Sequence, residues 1–141
     1  MADRPQPTFP ESHTELFWQG IKKRELRFQT CDDCARVVFY PRHHCPYCLA
    51  ASLSWQVSAG LGTVYTFAVI RQNRVPAFIE FGAYPVAYID LDEGFRMMST
   101  VVGIEDPTSD IHIGQRVQVE FEAQDTGEYP IPVFRPVTDS G

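Results

Sequence analysis

The stretch Cys31-Asp-Asp-Cys34-Ala-Arg-Val-Val-Phe-Tyr40-Pro-Arg-His-His-Cys45-Pro-Tyr-Cys48 contains all four cysteines of the chain. They form two C-x2-C pairs, and each pair is typical of a tight turn that points two thiolates at one centre. Four thiolates in a tetrahedron are the closed coordination that structural zinc prefers, and two such pairs indicate one shared ion. The sequence therefore predicts one zinc ion bound by Cys31, Cys34, Cys45 and Cys48, in a zinc ribbon over residues 26–54.

A site with four protein ligands contributes folding free energy and leaves no position for water or substrate, so Lewis-acid catalysis is not expected there. Tetrahedral sulfur also suits iron, as in rubredoxin, but Ala35 and Leu49 stand where rubredoxin turns carry glycine, which favours zinc. A redox C-x2-C pair is less favoured than a shared ion. A further alternative replaces Cys45 with His43 or His44, although histidines on a surface loop near the metal are the simpler interpretation.

Upstream of the cysteines, the sequence predicts an arm and one short helix. Residues 1–10 contain three prolines and indicate an extended arm. Ser12 and Glu15 match a capping box, which predicts a helix from Ser12 to Gly20.

Leu16, Phe17 and Trp18 are adjacent on this predicted helix. At 100° per residue they cover much of its circumference, so one face cannot bury all three. Two interpretations stay open. Either the helix packs entirely on its own domain, or part of its apolar surface docks on a partner chain.

The rest of the chain reads as β-structure. Glycines 60, 62, 103 and 114 stand at breaks between the later runs, and five strands in so short a segment favour a closed OB-fold barrel over an open sandwich. The predicted strands are Leu26–Thr30, Val37–Tyr40, Thr63–Ile70, Val86–Leu91, Phe95–Val102, Arg116–Glu122 and Pro132–Val137. We therefore predict a mainly β chain: arm and helix over 1–25, rubredoxin-like zinc ribbon over 26–54, and a five-stranded OB-fold over 55–141.

Composition narrows the class of protein. The 141 residues are 44% apolar, and the net charge of −6 lowers the expectation of a duplex DNA binder, which needs concentrated positive surface. The N-terminus lacks a secretory apolar region, and no apolar run approaches the length of a membrane helix. We expect a soluble cytoplasmic protein, where four cysteines are better explained by metal than by disulfides.

One loop of the predicted barrel is a candidate ligand surface. Arg71 and Arg74 follow the first barrel strand and are in turn followed by Phe78 and Phe81. In an OB-fold this loop borders the binding face, where arginines beside aromatic rings can hold the phosphates of coenzyme A or a nucleotide. The competing interpretation is a solvated loop whose phenylalanines pack inward. Because no nucleophile–base constellation is legible, the chain is interpreted as a binding or accessory subunit.

The ordered set of motifs resembles the acyl-CoA-associated family that joins an N-terminal helix, a rubredoxin-like zinc ribbon and a C-terminal OB-fold, long described as a domain of unknown function. The resemblance rests on Phe17-Trp-Gln-Gly20, Leu26-Arg-Phe-Gln-Thr-Cys31-Asp-Asp-Cys34, Tyr40-Pro-Arg42, Cys45-Pro-Tyr-Cys48, Gly60-Leu-Gly-Thr-Val-Tyr65, Val86-Ala-Tyr-Ile-Asp-Leu-Asp-Glu-Gly94, Ile113-Gly-Gln-Arg-Val117 and Phe134-Arg-Pro136.

The resemblance implies a non-catalytic partner of thiolase-like enzymes, including ketosynthase-like enzymes and aldolases of acyl-CoA metabolism. It also implies a coenzyme A thioester shared with that partner, whose own chain carries the catalytic groups. The metal ligands of the family carry over to the four cysteines. No residue that contacts coenzyme A is transferred.

Three functions therefore compete. The favoured one is an accessory subunit of a thiolase-type acyl-CoA enzyme, with partner and ligand surfaces at Leu16–Trp18 and in the loop from Arg71 to Phe81. The second is a single-stranded nucleic-acid-binding module, since zinc ribbons and OB-folds both serve that role, although nucleic acid is not favoured by a barrel segment with five arginines and no lysine. The third, an electron carrier, requires iron.

Overall fold

The computed structural model describes residues 3–7 and 12–137. Their one α-helix is α1 (Ser12–Lys22), and a short 3-10 helix covers Ile79–Phe81. Their strands are β1 (Arg27–Cys31), β2 (Val37–Val38), β3 (Leu53–Val57), β4 (Leu61–Ile70), β5 (Tyr84–Leu91), β6 (Arg96–Ser99), β7 (Arg116–Glu122) and β8 (Ile131–Pro136). The rest of the predicted arm, and residues 138–141 of the predicted barrel, lie outside the described residues.

A small antiparallel sheet carries the cysteine segment, with strand order β2-β1-β3. Strand β1 pairs with β3 along its full length, from Arg27 opposite Val57 to Cys31 opposite Leu53. Strand β3 was not predicted, and it crosses the expected boundary between residues 54 and 55. It forms because β1 offers a free edge for hydrogen bonding. The short sequence of β3 does not by itself reveal that this edge is available.

The second sheet has five strands in the order β6-β5-β4-β7-β8. Its ends meet in a parallel bridge between Val101 and Phe134, where the Val102 N–H donates to the Phe134 carbonyl at 2.7 Å and the Phe134 N–H donates to the Thr100 carbonyl at 3.0 Å. The bridge closes the sheet. The predicted OB-fold barrel is thus confirmed, and the open sandwich is excluded.

The long strand β4 joins the two halves of the barrel. Its first residues pair with β7, while Gly62–Ile70 pair with β5 across a bulge between Val64 and Thr66. A bulge bends its strand and increases the twist, so one strand can serve two neighbours at an angle. Strand β7 matches its predicted bounds, whereas β6 ends at Ser99 because the residues after it turn to bridge β8.

One hydrophobic core joins the helix, the small sheet and the barrel. It includes Phe17 of α1, Phe28 of β1, and Phe95 just before β6. Phe95 stacks on Phe28 with ring centroids 4.9 Å apart, and Phe39 lies 4.7 Å from Phe95 and 5.8 Å from Phe17. The three predicted segments therefore pack as one unit. Among the described residues, no helix is long and apolar enough to cross a membrane.

Candidate metal centre and apolar pocket

The four cysteine sulfurs converge on one point. The Cys31 and Cys48 Sγ atoms are 3.6 Å apart, as are those of Cys34 and Cys45, and all four sulfurs lie within 4.8 Å of one another. A tetrahedron with zinc–sulfur bonds of about 2.3 Å has edges of about 3.8 Å. The donor set and its dimensions therefore fit zinc, and the cysteines are positioned to bind it as predicted.

Two matching turns present these sulfurs. The Ala35 N–H donates to the Cys31 carbonyl and the Leu49 N–H donates to the Cys45 carbonyl, both at 2.9 Å. Ala35 and Leu49 have φ values of 63° and 66°, in the left-handed region that favours glycine. The chain thus keeps the turn geometry without the glycines that rubredoxin carries there.

The thiols differ in their tendency to ionise. Burial raises the pKa of Cys45, but N–H groups of Cys48 and Tyr47 and the neighbouring thiols outweigh it and lower the pKa to about 7. At Cys48 the Ala50 N–H lowers the pKa, but the Cys31 thiol, burial and the other thiols raise it to about 12. Of these two thiols, Cys45 is therefore the first to ionise in the metal-free chain.

His43, the alternative ligand, points elsewhere. Its Nε2 atom lies 3.1 Å from Nδ1 of His13 on α1. Among the described residues, the cluster with metal-ligand geometry consists of the four cysteines. This geometry favours Cys45 over the neighbouring histidines.

An apolar pocket of about 950 Å³ lies between α1, the loop after β4 and the edge of the barrel. Four residues of the predicted ligand and partner segments line it, namely Phe17, Trp18, Phe78 and Phe81. The fold thus brings the helix aromatics and the loop aromatics to one site. Sequence reasoning missed other lining residues, because they are ordinary hydrophobic residues of strands and turns: Phe39, Tyr40, Tyr84, Met97 and Val101.

The aromatic side chains of the predicted helix are largely covered by the chain itself. Phe17 is only 7% exposed and Trp18 is half-buried, with its ring edge-on to Tyr129 at 5.8 Å. Leu16 remains 44% exposed. The helix packs its aromatic residues on its own chain because the barrel loop before β8 covers one side of it.

Arg71 and Arg74 are exposed and do not line the pocket. Arg71 lies close enough to Asp106 to help hydrogen bonds from Thr108 and Ser109 lower the pKa of that carboxyl. The two arginines therefore do not share the pocket with Phe78 and Phe81, with which the sequence had grouped them.

The pocket contains a charged residue that the sequence did not indicate. Arg4 of the arm forms an ion pair with Glu122, at 3.2 Å, and its guanidinium carbon lies 4.9 Å from the centre of the Phe81 ring. Its Nε atom is buried, and no group of the described residues accepts a hydrogen bond from it. An arginine in a proline-rich arm has no sequence signal for this role, since only the fold carries the arm across the barrel.

The remaining barrel arginines are engaged by carboxylates. Arg116 makes a two-pronged contact with Asp92, with both bonds 2.8 Å long. Arg96 pairs with Asp90 and Arg135 pairs with Glu120.

The structure joins a zinc ribbon to a closed OB-fold barrel, and the sheet of the ribbon packs on the barrel. This combination defines the class of protein. A family model described as "ChsH2, rubredoxin-like zinc ribbon domain" matches residues 18–54, and one described as "ChsH2, C-terminal OB-fold domain" matches residues 55–122. The chain belongs to this ChsH2 (DUF35) family, which confirms the resemblance noted from its motifs.

Relatives extend the comparison. The chain is 35% identical over 138 residues to a probable enoyl-CoA hydratase alpha subunit of Thermomonospora curvata, covering 96% of this chain but 40% of that protein. It is 32% identical to a DUF35 domain-containing scaffold protein of Methanocaldococcus jannaschii, covering 74% of this chain and 73% of that one. A solved structure entitled Ltp2-ChsH2(DUF35) aldolase superposes with a TM-score of 0.82 at 31% identity, covering 94% of this chain and all of the other.

Proposed function

We propose that this chain is a non-catalytic accessory subunit of a thiolase-type, or thiolase-like aldolase, acyl-CoA enzyme. In this proposal it stabilises the partner and helps to form the binding site for an acyl-CoA shared between the two chains. The acyl-CoA assignment is supported by the name of one relative, a probable enoyl-CoA hydratase alpha subunit. The role in an enzyme complex is supported by the names of two others, a scaffold protein and an aldolase.

The observation that carries the proposal is the pocket of about 950 Å³. A cavity of this size, lined mainly by apolar and aromatic side chains with few polar groups, is typical of a site for a small organic ligand. It is bounded partly by α1, whose Leu16 is exposed on the outside. The ligand pocket and the proposed partner surface would thus both involve helix α1. Such an arrangement suits a subunit that completes a binding site on another chain.

Zinc has a purely structural role in this proposal. With four cysteine ligands the ion has no open position for a substrate, so it holds the ribbon together while the chemistry takes place on the partner chain. Four cysteines that remain free to bind metal favour a reducing compartment, and we place the complex in the cytoplasm.

The test is capture of the tagged full-length chain from its native host, followed by mass spectrometry. We expect a thiolase-superfamily protein in near-stoichiometric amount. A Leu16→Glu variant should lose it, because a charge on an interface residue opposes docking, whereas Ile113→Glu, at a more exposed site on the barrel, should retain it. Recovery of the folded, zinc-loaded chain without any thiolase-superfamily protein would refute the proposal.

The nucleic-acid alternative is disfavoured by the ion pairs of the barrel. Of the five barrel arginines, Arg96, Arg116 and Arg135 are each paired with a carboxylate, and a phosphate would have to displace it. Fluorescence anisotropy with labelled single-stranded DNA should therefore detect no salt-dependent binding near micromolar concentration. Such binding would instead favour the alternative.

A further inference from the structure

The described part of the N-terminal arm, residues 3–7, is attached to the segment 122–129 by polar contacts. The Asp3 carboxylate accepts hydrogen bonds of 2.6–2.8 Å from the Thr126 hydroxyl and from the backbone N–H groups of residues 125–127. None of the described arm residues belongs to the hydrophobic core. Because water can replace hydrogen bonds of this kind, the arm can detach without exposing the core.

A second attachment point of the arm is Gln6. Its side-chain amide donates from Nε2 to the Tyr129 carbonyl at 3.1 Å and accepts at Oε1 from the Tyr129 N–H at 2.9 Å. The amide lies so close to Gly127 that a Cβ atom there would come within 2.6 Å of Cδ of Gln6. Glycine at this position therefore permits the close approach on which the contact with Tyr129 depends.

Arg4 carries the arm along one side of the pocket. Arg4 and Pro5 both line the pocket, and the Arg4 N–H donates to Oε1 of Gln124 at 2.8 Å. The Arg4 guanidinium pairs with Glu122 at 3.2 Å, and its carbon lies 4.9 Å from the centre of the Phe81 ring. The arm thus bridges the end of β7 and the loop after β4, and it supplies the pocket wall between them.

The attached position of the arm carries a cost in free energy. The Arg4 side chain is 13% exposed, its Nε atom is buried, and no group of the described residues accepts a hydrogen bond from that atom. A buried donor without an acceptor is less stable than one that water can reach, so detachment relieves this cost. Polar attachment and a buried unpaired donor together are typical of a segment that opens locally while the rest of the fold persists.

We propose that the arm is a detachable strap that closes one side of the pocket, and that a ligand enters and leaves when the strap separates from residues 122–129. The inference rests on the proposed function for the use of the pocket as a ligand site, but it needs no partner chain. The strap closes over the empty and the occupied pocket alike. Weakening its attachment should therefore change the rates of entry and exit and leave the affinity nearly constant.

The test is stopped-flow fluorescence on the purified, zinc-loaded full chain, with the neutral apolar dye N-phenyl-1-naphthylamine as the probe. In the unaltered chain the observed binding rate should reach a plateau as probe concentration rises, because opening of the strap limits entry.

Asp3→Asn should accelerate both steps, because it places an amino group against the N–H groups of residues 125–127. The plateau and the dissociation rate should each rise about ten-fold, as the loss of charge-assisted hydrogen bonds implies. The dissociation constant should stay within about two-fold of its value in the unaltered chain, since a change that acts equally on the free and bound forms shifts no equilibrium between them.

Gly127→Ala should have the same effect from the opposite side of the contact. The added Cβ atom displaces the Gln6 amide, and neither Gly127 nor Gln6 lines the pocket. Asp92→Asn is the matched control, because the Asp92 carboxylate also accepts bonds of 2.8 Å, from Arg116, but does not line the pocket. It should leave the rates and the affinity unchanged. An unchanged near-ultraviolet circular dichroism spectrum and zinc content should show that each variant is folded.

Acceleration in both arm variants at nearly constant affinity supports the strap. Unchanged rates in either variant overturn it, as does weaker binding without acceleration, which would make the arm a fixed part of the wall. Failure of the probe to bind the unaltered chain, or a binding rate that rises without a plateau, also overturns it. Since no partner is present, these results are separate from capture of a thiolase-superfamily protein, and either proposal can fail while the other stands.

Discussion

Gln29 holds both backbone groups of Arg42 with its side-chain amide. The Arg42 N–H donates to Oε1 of Gln29 at 2.8 Å, and Nε2 of Gln29 donates to the Arg42 carbonyl at 3.0 Å. Gln29 lies in β1 and is only 3% exposed. This pair ties the segment that leads into the second cysteine pair to the strand that ends at Cys31, and so it helps to set the positions of the four sulfurs.

Replacing Gln29 by Glu should weaken the ribbon. A carboxylate has the same shape but cannot donate to the Arg42 carbonyl, so a buried hydrogen bond becomes a repulsive contact. We expect a loss of about 2–3 kcal/mol in the free energy of unfolding, measured by urea denaturation. The matched variant Gln56→Glu, exposed on β3, should change it by less than about 0.5 kcal/mol. Equal effects of the two substitutions would contradict the role of this pair.

Removing one zinc ligand should release the metal. Cys45→Ser replaces a buried thiolate with a hydroxyl, a poor ligand for zinc, and we expect the zinc-to-protein ratio to fall from one towards zero in metal analysis. His43→Ala should keep one zinc ion, since the His43 ring is directed at His13. The loaded protein should be colourless. A visible absorption band with bound iron would instead support the rubredoxin alternative.

Zinc binding should also depend on pH. Metal ligation requires deprotonated thiols, and the pKa of Cys45 in the metal-free chain is about 7, while that of Cys48 is about 12. The apparent zinc affinity should therefore rise with pH from 6 to 8, with proton release measurable by calorimetry in buffers of different ionisation heat. An affinity that does not change over this range would count against thiolate ligation.

Two glycine-to-alanine variants should distinguish the loss of stability caused by backbone strain from the loss caused by a steric clash. Gly60 has φ of 78°, and a Cβ atom there would overlap Cγ1 of Val119, whereas Gly114 has φ of 91° and nothing within 4 Å of such an atom. Gly114→Ala should cost about 1 kcal/mol through strain alone, and Gly60→Ala about 2–4 kcal/mol because the barrel must also shift. Thermal unfolding of both variants checks this order, and a larger loss for Gly114→Ala would contradict it.

The attachment of the N-terminal arm to residues 125–127, made by Asp3, should weaken at low pH. The Asp3 carboxylate accepts hydrogen bonds from the Thr126 hydroxyl and from the N–H groups of Asp125, Thr126 and Gly127, and these bonds lower its pKa below the usual 3.8 although burial opposes them. Because the pKa is lower in the folded chain, this attachment is fully present above the ordinary aspartate pKa and is lost as pH falls through the lowered value.

Amide resonances of Thr126 and Gly127 should report the loosening of the arm. In the unaltered chain they should shift with a midpoint below 3.8, the usual aspartate value. In Asp3→Asn that titration should vanish, and the two amides should exchange with solvent faster at neutral pH. Unchanged exchange in the variant would show that the arm is held by other contacts.

Local patterns account for what was predicted correctly. The cysteine spacing predicts both metal-binding turns because each turn closes within five residues. The alternation of polar and apolar residues over Arg116–Glu122 predicts β7, because one face of the strand is exposed to solvent and the other is buried. Strand β3 was missed because it forms only by pairing with β1. The five residues of β3 do not by themselves reveal which segment they pair with. Val101 bridges Phe134 outside any strand, so the predicted end of β6 was too late.

The sequence alone thus identified the four cysteines as a group positioned to bind one metal ion, since the chemistry of thiolates and the length of each turn are local properties. The order of helix, ribbon and barrel was legible for the same reason. Only the tertiary structure decided which aromatic residues are buried and which meet in a pocket. Arg4, Phe17 and Phe81 become neighbours of one cavity through packing of segments far apart in the chain. That proximity depends on how the barrel closes, and no local pattern records it.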